Sequence, residues 1–167
     1  MNLKIIIQLP ERIKNDLDKI ANDLYDDFKG SYKDKEDYYI TLRSIDGIDG
    51  FTLKQIKSAL LNVSGKSDPF TLYCNELSLL NPRRKSSLVF SLRGLTSKLY
   101  NLHQNIDNVL FTRGIPRDTS MPFPYIEIAQ KVAYRQLPYV KSPQAPINVG
   151  SIDLIEEQRK FSKVEHR

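Results

Sequence analysis

The chain has 167 residues, 40% of them hydrophobic and 27% charged, with a formal net charge of +5 at pH 7. This composition excludes collagen-like and disordered chains, and the modest positive charge is compatible either with a polyanionic ligand or with a basic surface that only aids solubility. The single cysteine, Cys74, excludes an internal disulfide and a cysteine-based metal cluster, and no apolar run is long enough to cross a bilayer. We therefore expect a cytoplasmic protein that does not enter a membrane.

The first part of the chain predicts two strands separated by a long helix. Residues 4–9 form a short apolar strand, and Pro10 suits the first turn of a helix because its missing N–H costs nothing there. Gly30 offers a stop for this helix, and residues 37–45 predict the second strand. The apolar positions at helical spacing are Ile13, Leu17, Ile20, Leu24 and Phe28.

A second helix is predicted to begin at Thr52. Gln55 would complete a capping box with Thr52, and Phe51 would contact Ile56 across the cap as a hydrophobic staple. Strands are predicted at residues 70–77 and 87–92, with a loop between them that contains the basic cluster 83–85. This cluster suits either contact with a nucleic-acid backbone or simple solvation.

A third helix is predicted from Leu95 to Val109, and a loop then leads to a strand over residues 123–133. Residues 147–155 predict another strand, and residues 161–164 a further one. The order of elements predicts an α+β fold in which antiparallel sheets carry helices on their outer faces. We expect residues 1–167 to form a single domain.

Two short segments repeat one another after a long helix, Tyr-Ile-Thr-Leu at 39–42 and Tyr-Ile-Glu-Ile at 125–128. They resemble the two motifs of the two-histidine phosphoesterases, in the branch of bacterial 2'-5' RNA ligases, also described as RNA 2',3'-cyclic phosphodiesterases. Those motifs are His-hydrophobic-Thr-Leu and Pro-His-hydrophobic-Thr-hydrophobic-Ala. The opening Leu9-Pro10, the Phe-Thr-Leu strand at 70–72 and the loop at 81–84 also resemble family segments, in the family's order.

The resemblance implies a two-lobed, pseudo-symmetric fold with a central cleft that receives one motif from each lobe. In active members one histidine acts as general base, the other as general acid, and the threonines help to hold the phosphate. In this chain both histidine positions hold tyrosine, Tyr39 and Tyr125. Thr41 keeps the first threonine, whereas Glu127 replaces the second.

Strand alternation predicts which side chains reach the cleft. Tyr39, Thr41 and Arg43 should share one face of their strand, and Tyr125, Glu127 and Lys131 one face of theirs. We therefore take these six residues as candidate ligand-binding residues.

The substitutions argue against the family's chemistry. An imidazole titrates at a pKa of about 6.5 and a phenol at about 10, so two phenols are poor acid–base catalysts at neutral pH. Both histidines of the chain lie elsewhere, His103 beside the apolar stripe of the third helix and His166 next to the end. The Glu127 carboxylate would repel a phosphate unless it is paired or protonated. No catalytic residue, cofactor or metal site is predicted.

Three functional hypotheses remain at this stage. The leading one is a catalytically inactive, phosphoesterase-like protein that binds a nucleotide, a cyclic nucleotide or an RNA end in its cleft. The first alternative is an active cyclic phosphodiesterase or RNA ligase-like enzyme that uses Tyr39 and Tyr125. The second is a protein-interaction module whose cleft is plugged by tyrosine side chains. No protein partner is identified by the sequence.

Overall fold

Three helices and eight strands make up the computed structural model, which describes residues 1–64, 68–80, 86–118, 124–133 and 135–157. The helices are α1 (Glu11–Leu24), α2 (Gly50–Ser64) and α3 (Thr96–Phe111). A 3-10 turn occupies Lys35–Asp37. The strands are β1 (Asn2–Gln8), β2 (Ser31–Tyr32), β3 (Tyr39–Ile45), β4 (Phe70–Leu80), β5 (Ser86–Gly94), β6 (Ile126–Val132), β7 (Ile147–Val149) and β8 (Asp153–Glu157).

The strands form one antiparallel sheet in the order β7-β4-β5-β6-β3-β1-β8, and β2 pairs with β6 beside this path. Two halves with the same chain order meet at its centre. One half runs β1, α1, β3 and the other β5, α3, β6, and the two halves join where β3 pairs with β6. The predicted α+β, pseudo-symmetric fold is confirmed.

The connection between β7 and β8 requires the sheet to curl. These strands lie at opposite edges of the seven-strand path, yet only residues 150–152 separate them in the chain. Four residue steps span at most about 14 Å. Six strand spacings in a flat sheet would place the two edges about 29 Å apart. The sheet is therefore strongly curled, in the manner of a half-barrel.

The hydrophobic core lies between the three helices and one face of the sheet, which we call the helix face. Its strand residues alternate in β1 as Leu3, Ile5 and Ile7, and all three are buried. The helices contribute their apolar stripes, and Cys74 lies among the core residues as a buried thiol. The main helix contributors are Ile13, Leu17, Leu24, Ile56, Leu60, Leu99, Leu102, Ile106 and Leu110.

The start of α2 differs from the prediction. Asp49 caps the helix, because its Oδ1 accepts a hydrogen bond from the Thr52 N–H at 2.7 Å. The predicted capping box at Thr52 is thus wrong, and Gln55 instead accepts a hydrogen bond from Arg113 at 2.8 Å. Phe51 is 72% exposed, so it is not a staple to the buried Ile56.

The strand predicted at residues 147–155 is two strands, β7 and β8, which pair with opposite edges of the sheet. The sequence did not predict β2 or the 3-10 turn, since two or three polar residues carry no periodic signal. The predicted strand at 161–164 and the basic cluster at 83–85 lie outside the described residues.

Candidate functional site

The two motif strands are direct neighbours at the centre of the sheet. β3 and β6 pair antiparallel with Ile40 opposite Ile126, and both of these isoleucines belong to the core. Extending this register by one residue in each direction places Tyr39 opposite Glu127 and Thr41 opposite Tyr125. Directly opposed residues of an antiparallel pair point to the same face. The structure therefore brings four of the six candidate residues together.

These four residues lie on the sheet face that points away from the helices, which we call the open face. In β1, Gln8 is opposite Tyr39, and Ile6 is opposite Thr41. In β5, Val89 is opposite Glu127. Ile6, Tyr39 and Val89 are all buried although none belongs to the hydrophobic core, so side chains on the open face cover one another.

Arg43 does not join them, and the prediction that it shares a face with Tyr39 and Thr41 is wrong. β1 residue Ile5 pairs with Arg43 and the next residue, Ile6, pairs with Thr41, so Leu42 is an extra residue in β3. Such a bulge reverses the alternation of side chains beyond it. Arg43 therefore points to the helix face, where it forms a buried ion pair with Asp107 of α3.

Alternation also fails beyond Glu127 in β6. The pairing with β5 is irregular on both sides of Leu88, and Ile128 and Ala129 are consecutive core residues. Lys131 lies within the second irregularity, between Ala129 and Val132. It is exposed and has a φ of 58°, which is unusual for a residue other than glycine. The prediction that Lys131 shares a face with Tyr125 and Glu127 assumed regular alternation along the whole strand, and β6 does not alternate regularly.

Glu127 is paired with a cation that the sequence analysis did not identify. Lys33 Nζ lies 3.3 Å from Glu127 Oε1, and the two side chains are only 12% and 18% exposed. Gln130 Nε2 donates a hydrogen bond to the same oxygen at 2.8 Å. The negative charge of the Glu127 carboxylate is thus compensated.

A second ion pair lies on the other side of Tyr39. Lys4 Nζ is 3.1 Å from Glu157 Oε1 of β8. Burial alone would lower the pKa of Lys4, but the Tyr39 and Glu157 side chains outweigh burial and raise the pKa, so this ammonium group stays charged. Lys4 Nζ and Lys33 Nζ lie 5.8 Å and 5.3 Å from the centre of the Tyr39 ring. Two ammonium groups therefore lie close to the Tyr39 ring.

Tyr125 has a different environment from Tyr39. It is half-buried, and burial together with the nearby Glu127 carboxylate raises its pKa, although Lys4 opposes this shift. Its phenol is therefore uncharged at neutral pH.

A cavity of about 450 Å³ begins at Tyr125 and Pro124 and extends to the first turns of α3. Most of its lining is apolar, and Ser78, Ser91 and Thr96 add small hydroxyl-bearing side chains. Its remaining lining residues are Leu80, Val89, Leu92, Leu99 and Tyr100.

The sequence held a signal for one of the residues that it missed. Lys4 alternates with Leu3, Ile5 and Ile7, so a lysine at this position had to lie on the face opposite the core. No comparable signal existed for Lys33 or Glu157. Lys33 reaches the open face because its N–H donates a hydrogen bond to the Ile128 carbonyl beside β2, and that pairing is not encoded in any local pattern.

The histidines do not contribute to this face within the described residues. His103 is buried on α3 among the core residues, as its sequence context predicted, and burial lowers its pKa. His166 lies outside the described residues. None of the described helices is both long and apolar enough to span a membrane.

The sequence was compared with protein-family models and with curated proteins. The family model described as LigT like Phosphoesterase matches residues 7–90, which is just over half of the chain. The sequence matches no curated protein.

Solved structures share the fold at low sequence identity. TT0787 of Thermus thermophilus superposes with a TM-score of 0.77 at 15% identity, over 97% of this chain and 91% of that one. E. coli LigT complexed with 3'-AMP gives a TM-score of 0.75 at 15% identity, over 95% and 91%. The MHV ns2 PDE domain gives 0.57 at 18% identity, over 89% and 99%.

Proposed function

Because the chain belongs to the LigT like phosphoesterase family, we propose that it binds a nucleotide, a cyclic nucleotide or an RNA end on its open face without hydrolysing it. The observation that carries this proposal is the pairing of β3 with β6, which sets Tyr39, Thr41, Tyr125 and Glu127 on one face of adjacent strands. These four positions are the ones that resemble the family's two motifs, and tyrosine stands at both positions where the motifs have histidine. A cytoplasmic location is part of the proposal.

The environments of the two tyrosines support the loss of catalysis. A general base at neutral pH needs a pKa near 7. The pKa of Tyr125 is shifted in the opposite direction, away from 7, by burial and by Glu127. Tyr39 is only 9% exposed, and two ammonium groups lie within 6 Å of its ring centre, so little of this side chain is accessible from solvent.

The same residues support binding. A tyrosine ring can stack on a base, and Lys4, Lys33 and the exposed Lys131 are candidate contacts for an anionic group. Arg43 is no longer a candidate in this role, since Asp107 and the Pro116 carbonyl engage its guanidinium group. E. coli LigT has been crystallised with 3'-AMP, ATP and NADP+, which supports a nucleotide as the class of ligand.

Two assays on the same purified protein test the proposal. Turnover of a 2',3'-cyclic nucleotide and of RNA ends should be absent, and titration calorimetry with mono-, di- and cyclic nucleotides should detect binding. Tyr39→Phe and Tyr125→Phe serve as controls, because they remove the phenol oxygen and keep the ring. Turnover that disappears in either variant would overturn the proposed loss of catalysis.

The alternative of a tyrosine-dependent phosphodiesterase has one observation in its favour. The two ammonium groups beside the Tyr39 ring would stabilise a phenolate, as nearby positive charge favours the ionised form of an acid. The turnover assay with Tyr39→Phe separates this alternative from the proposal. If no nucleotide binds and no turnover occurs, the interaction module with a plugged cleft becomes the better hypothesis.

A further inference from the structure

We infer that the open face recognises the uncharged, heteroaromatic end of its ligand, and that a phosphate group adds little to the affinity. This inference rests on the proposed function and concerns how the same face selects its ligand. It follows from the charges around Tyr39 and from the position of the cavity beside Tyr125.

Two ion pairs lie beside Tyr39, and within each pair the charges cancel. Lys33 is paired with Glu127 at 3.3 Å, and Lys4 is paired with Glu157 at 3.1 Å. The two ammonium groups and the two carboxylates sum to a formal charge of zero.

A phosphate approaching these pairs meets a carboxylate wherever it meets an ammonium group. It must either displace Glu127 from Lys33, which is shielded from solvent, or bind in the presence of its negative charge. Gln130 also holds the Glu127 carboxylate in place through its 2.8 Å hydrogen bond. The guanidinium group that strand alternation would have added, that of Arg43, is paired on the helix face. The net attraction of these two pairs for a phosphate is therefore small.

The cavity beside Tyr125 offers a different source of affinity. Its volume of about 450 Å³ lies in the range of small-molecule sites, and its lining is mostly apolar with a few hydroxyl groups, as is usual for such sites. The neutral phenol ring of Tyr125 forms one wall, and Tyr100, which is 55% exposed, forms another. A flat, uncharged ring system is the ligand group that gains most from this lining, by stacking and by burial of apolar surface.

The test compares nucleosides with their own monophosphates. Titration calorimetry of the full chain uses adenosine, guanosine, cytidine and uridine, each beside its 3'-monophosphate, at low and high salt. For the pair that binds, we expect the two dissociation constants to agree within about threefold, and salt to change them little. A monophosphate that binds more than about tenfold more tightly than its nucleoside overturns the inference and leaves the proposed function standing. If no compound binds, the inference fails, and calorimetry with cyclic nucleotides then decides whether the proposed function stands.

Glu127→Gln tests the role assigned to the ion pairs. Removing this carboxylate takes away the negative charge beside Lys33 and should raise the affinity for the monophosphate, relative to the nucleoside, by about tenfold, which corresponds to about 1.4 kcal/mol. Glu156→Gln makes the same change in charge at an exposed position of β8 and should leave the ratio unchanged. An unchanged ratio in Glu127→Gln overturns the charge argument.

Tyr100→Ala tests the cavity. Because this side chain is more exposed than buried, the variant should fold normally, which circular dichroism checks. We expect it to weaken nucleoside binding by about tenfold, the typical value of one stacking contact. Tyr139→Ala, at a tyrosine that is 92% exposed and does not line the cavity, is the matched control. Equal affinities in both variants would contradict the assignment of the cavity as the binding site.

Discussion

The buried ion pair between Arg43 and Asp107 gives the sharpest test of how β3 is held against α3. The Asp107 carboxylate accepts hydrogen bonds on both of its oxygens. Arg43 Nη1 and, at 3.1 Å, the Asp118 N–H donate to Oδ1, and Arg117 Nη1 donates to Oδ2 at 3.3 Å. Asp107→Asn removes the negative charge and replaces one acceptor with a donor. Arg43 is only 7% exposed. The variant therefore leaves a buried guanidinium group without the negative charge of Asp107.

Removing one partner of a buried ion pair typically costs about 3–5 kcal/mol. We expect Asp107→Asn to lower the free energy of unfolding by about 3 kcal/mol, which in a chain of this size lowers Tm by about 6–12 °C. Equilibrium urea unfolding followed by circular dichroism measures the change. Arg117→Met is the matched control, because the Arg117 side chain is 46% exposed and its contact with the same carboxylate should contribute less than about 1 kcal/mol.

The double variant Arg43→Met with Asp107→Leu completes the test. Replacing both partners with apolar side chains removes the unpaired charge, so it should restore most of the stability that the single variant loses. Two results would refute the reasoning. One is a loss below about 1 kcal/mol in Asp107→Asn, and the other is a double variant that is less stable than Asp107→Asn.

The same pair predicts how stability depends on pH. Burial alone would raise the pKa of Asp107, but the hydrogen bond from the Asp118 N–H and the charge of Arg43 outweigh burial and lower the pKa. The contribution of Asp107 is therefore complete above about pH 4, the pKa of an unfolded aspartate, and is lost as the pH falls through the lower pKa of the folded state. Asp107→Asn should consequently lose less stability than the native chain between pH 7 and pH 3.

Three further outcomes follow from individual residues. Asp49→Ala should lower the free energy of unfolding by about 1 kcal/mol in urea titrations, as expected for a lost N-cap, whereas an equal loss in Thr52→Val would favour Thr52 as the capping side chain. Burial lowers the pKa of His103, so the native chain should lose stability as the pH falls below about 6.5, where the unfolded histidine takes up a proton. His103→Gln should flatten this pH dependence of stability. An unchanged pH profile in the variant would contradict this role of His103. Burial raises the pKa of the Cys74 thiol to about 12. A thiol reagent at pH 8 should therefore label Cys74 only after denaturant is added. Rapid labelling of the native chain would contradict the position of Cys74 in the core.

The sequence predicted the parts of the fold that depend on periodic apolar patterns. The stripe from Ile13 to Leu24 and the alternation in β1 repeat over many residues, so they report burial whatever the rest of the chain does. The start of α2 was predicted less well, because Asp49 and Thr52 are both good caps and only the backbone path decides between them.

The site was predicted up to the point where alternation breaks. Tyr39, Thr41, Tyr125 and Glu127 precede the bulges of their strands, so simple parity placed them together. Arg43 follows the bulge of β3, and one inserted residue reverses the direction of every side chain beyond it. Between Glu127 and Val132 the pairing of β6 is irregular twice, so parity alone does not place Lys131. Lys33 reaches Glu127 only through the pairing of β2 with β6, which joins residues about a hundred positions apart in the chain. Contacts of that range have no local signature in a single sequence.

The connection of β7 and β8 to opposite edges has a consequence during synthesis on the ribosome. Until residues 147–157 emerge, the growing chain can form the middle of the sheet but leaves β4 and β1 with unpaired backbone groups at the same time. Unpaired, apolar edge strands recruit strands of other molecules, and the Ile5-Ile6-Ile7 segment of β1 is such a strand. The last eleven residues described therefore protect both ends of the sheet in a single step. Until they emerge, the nascent chain should depend most on chaperones that cover exposed strands.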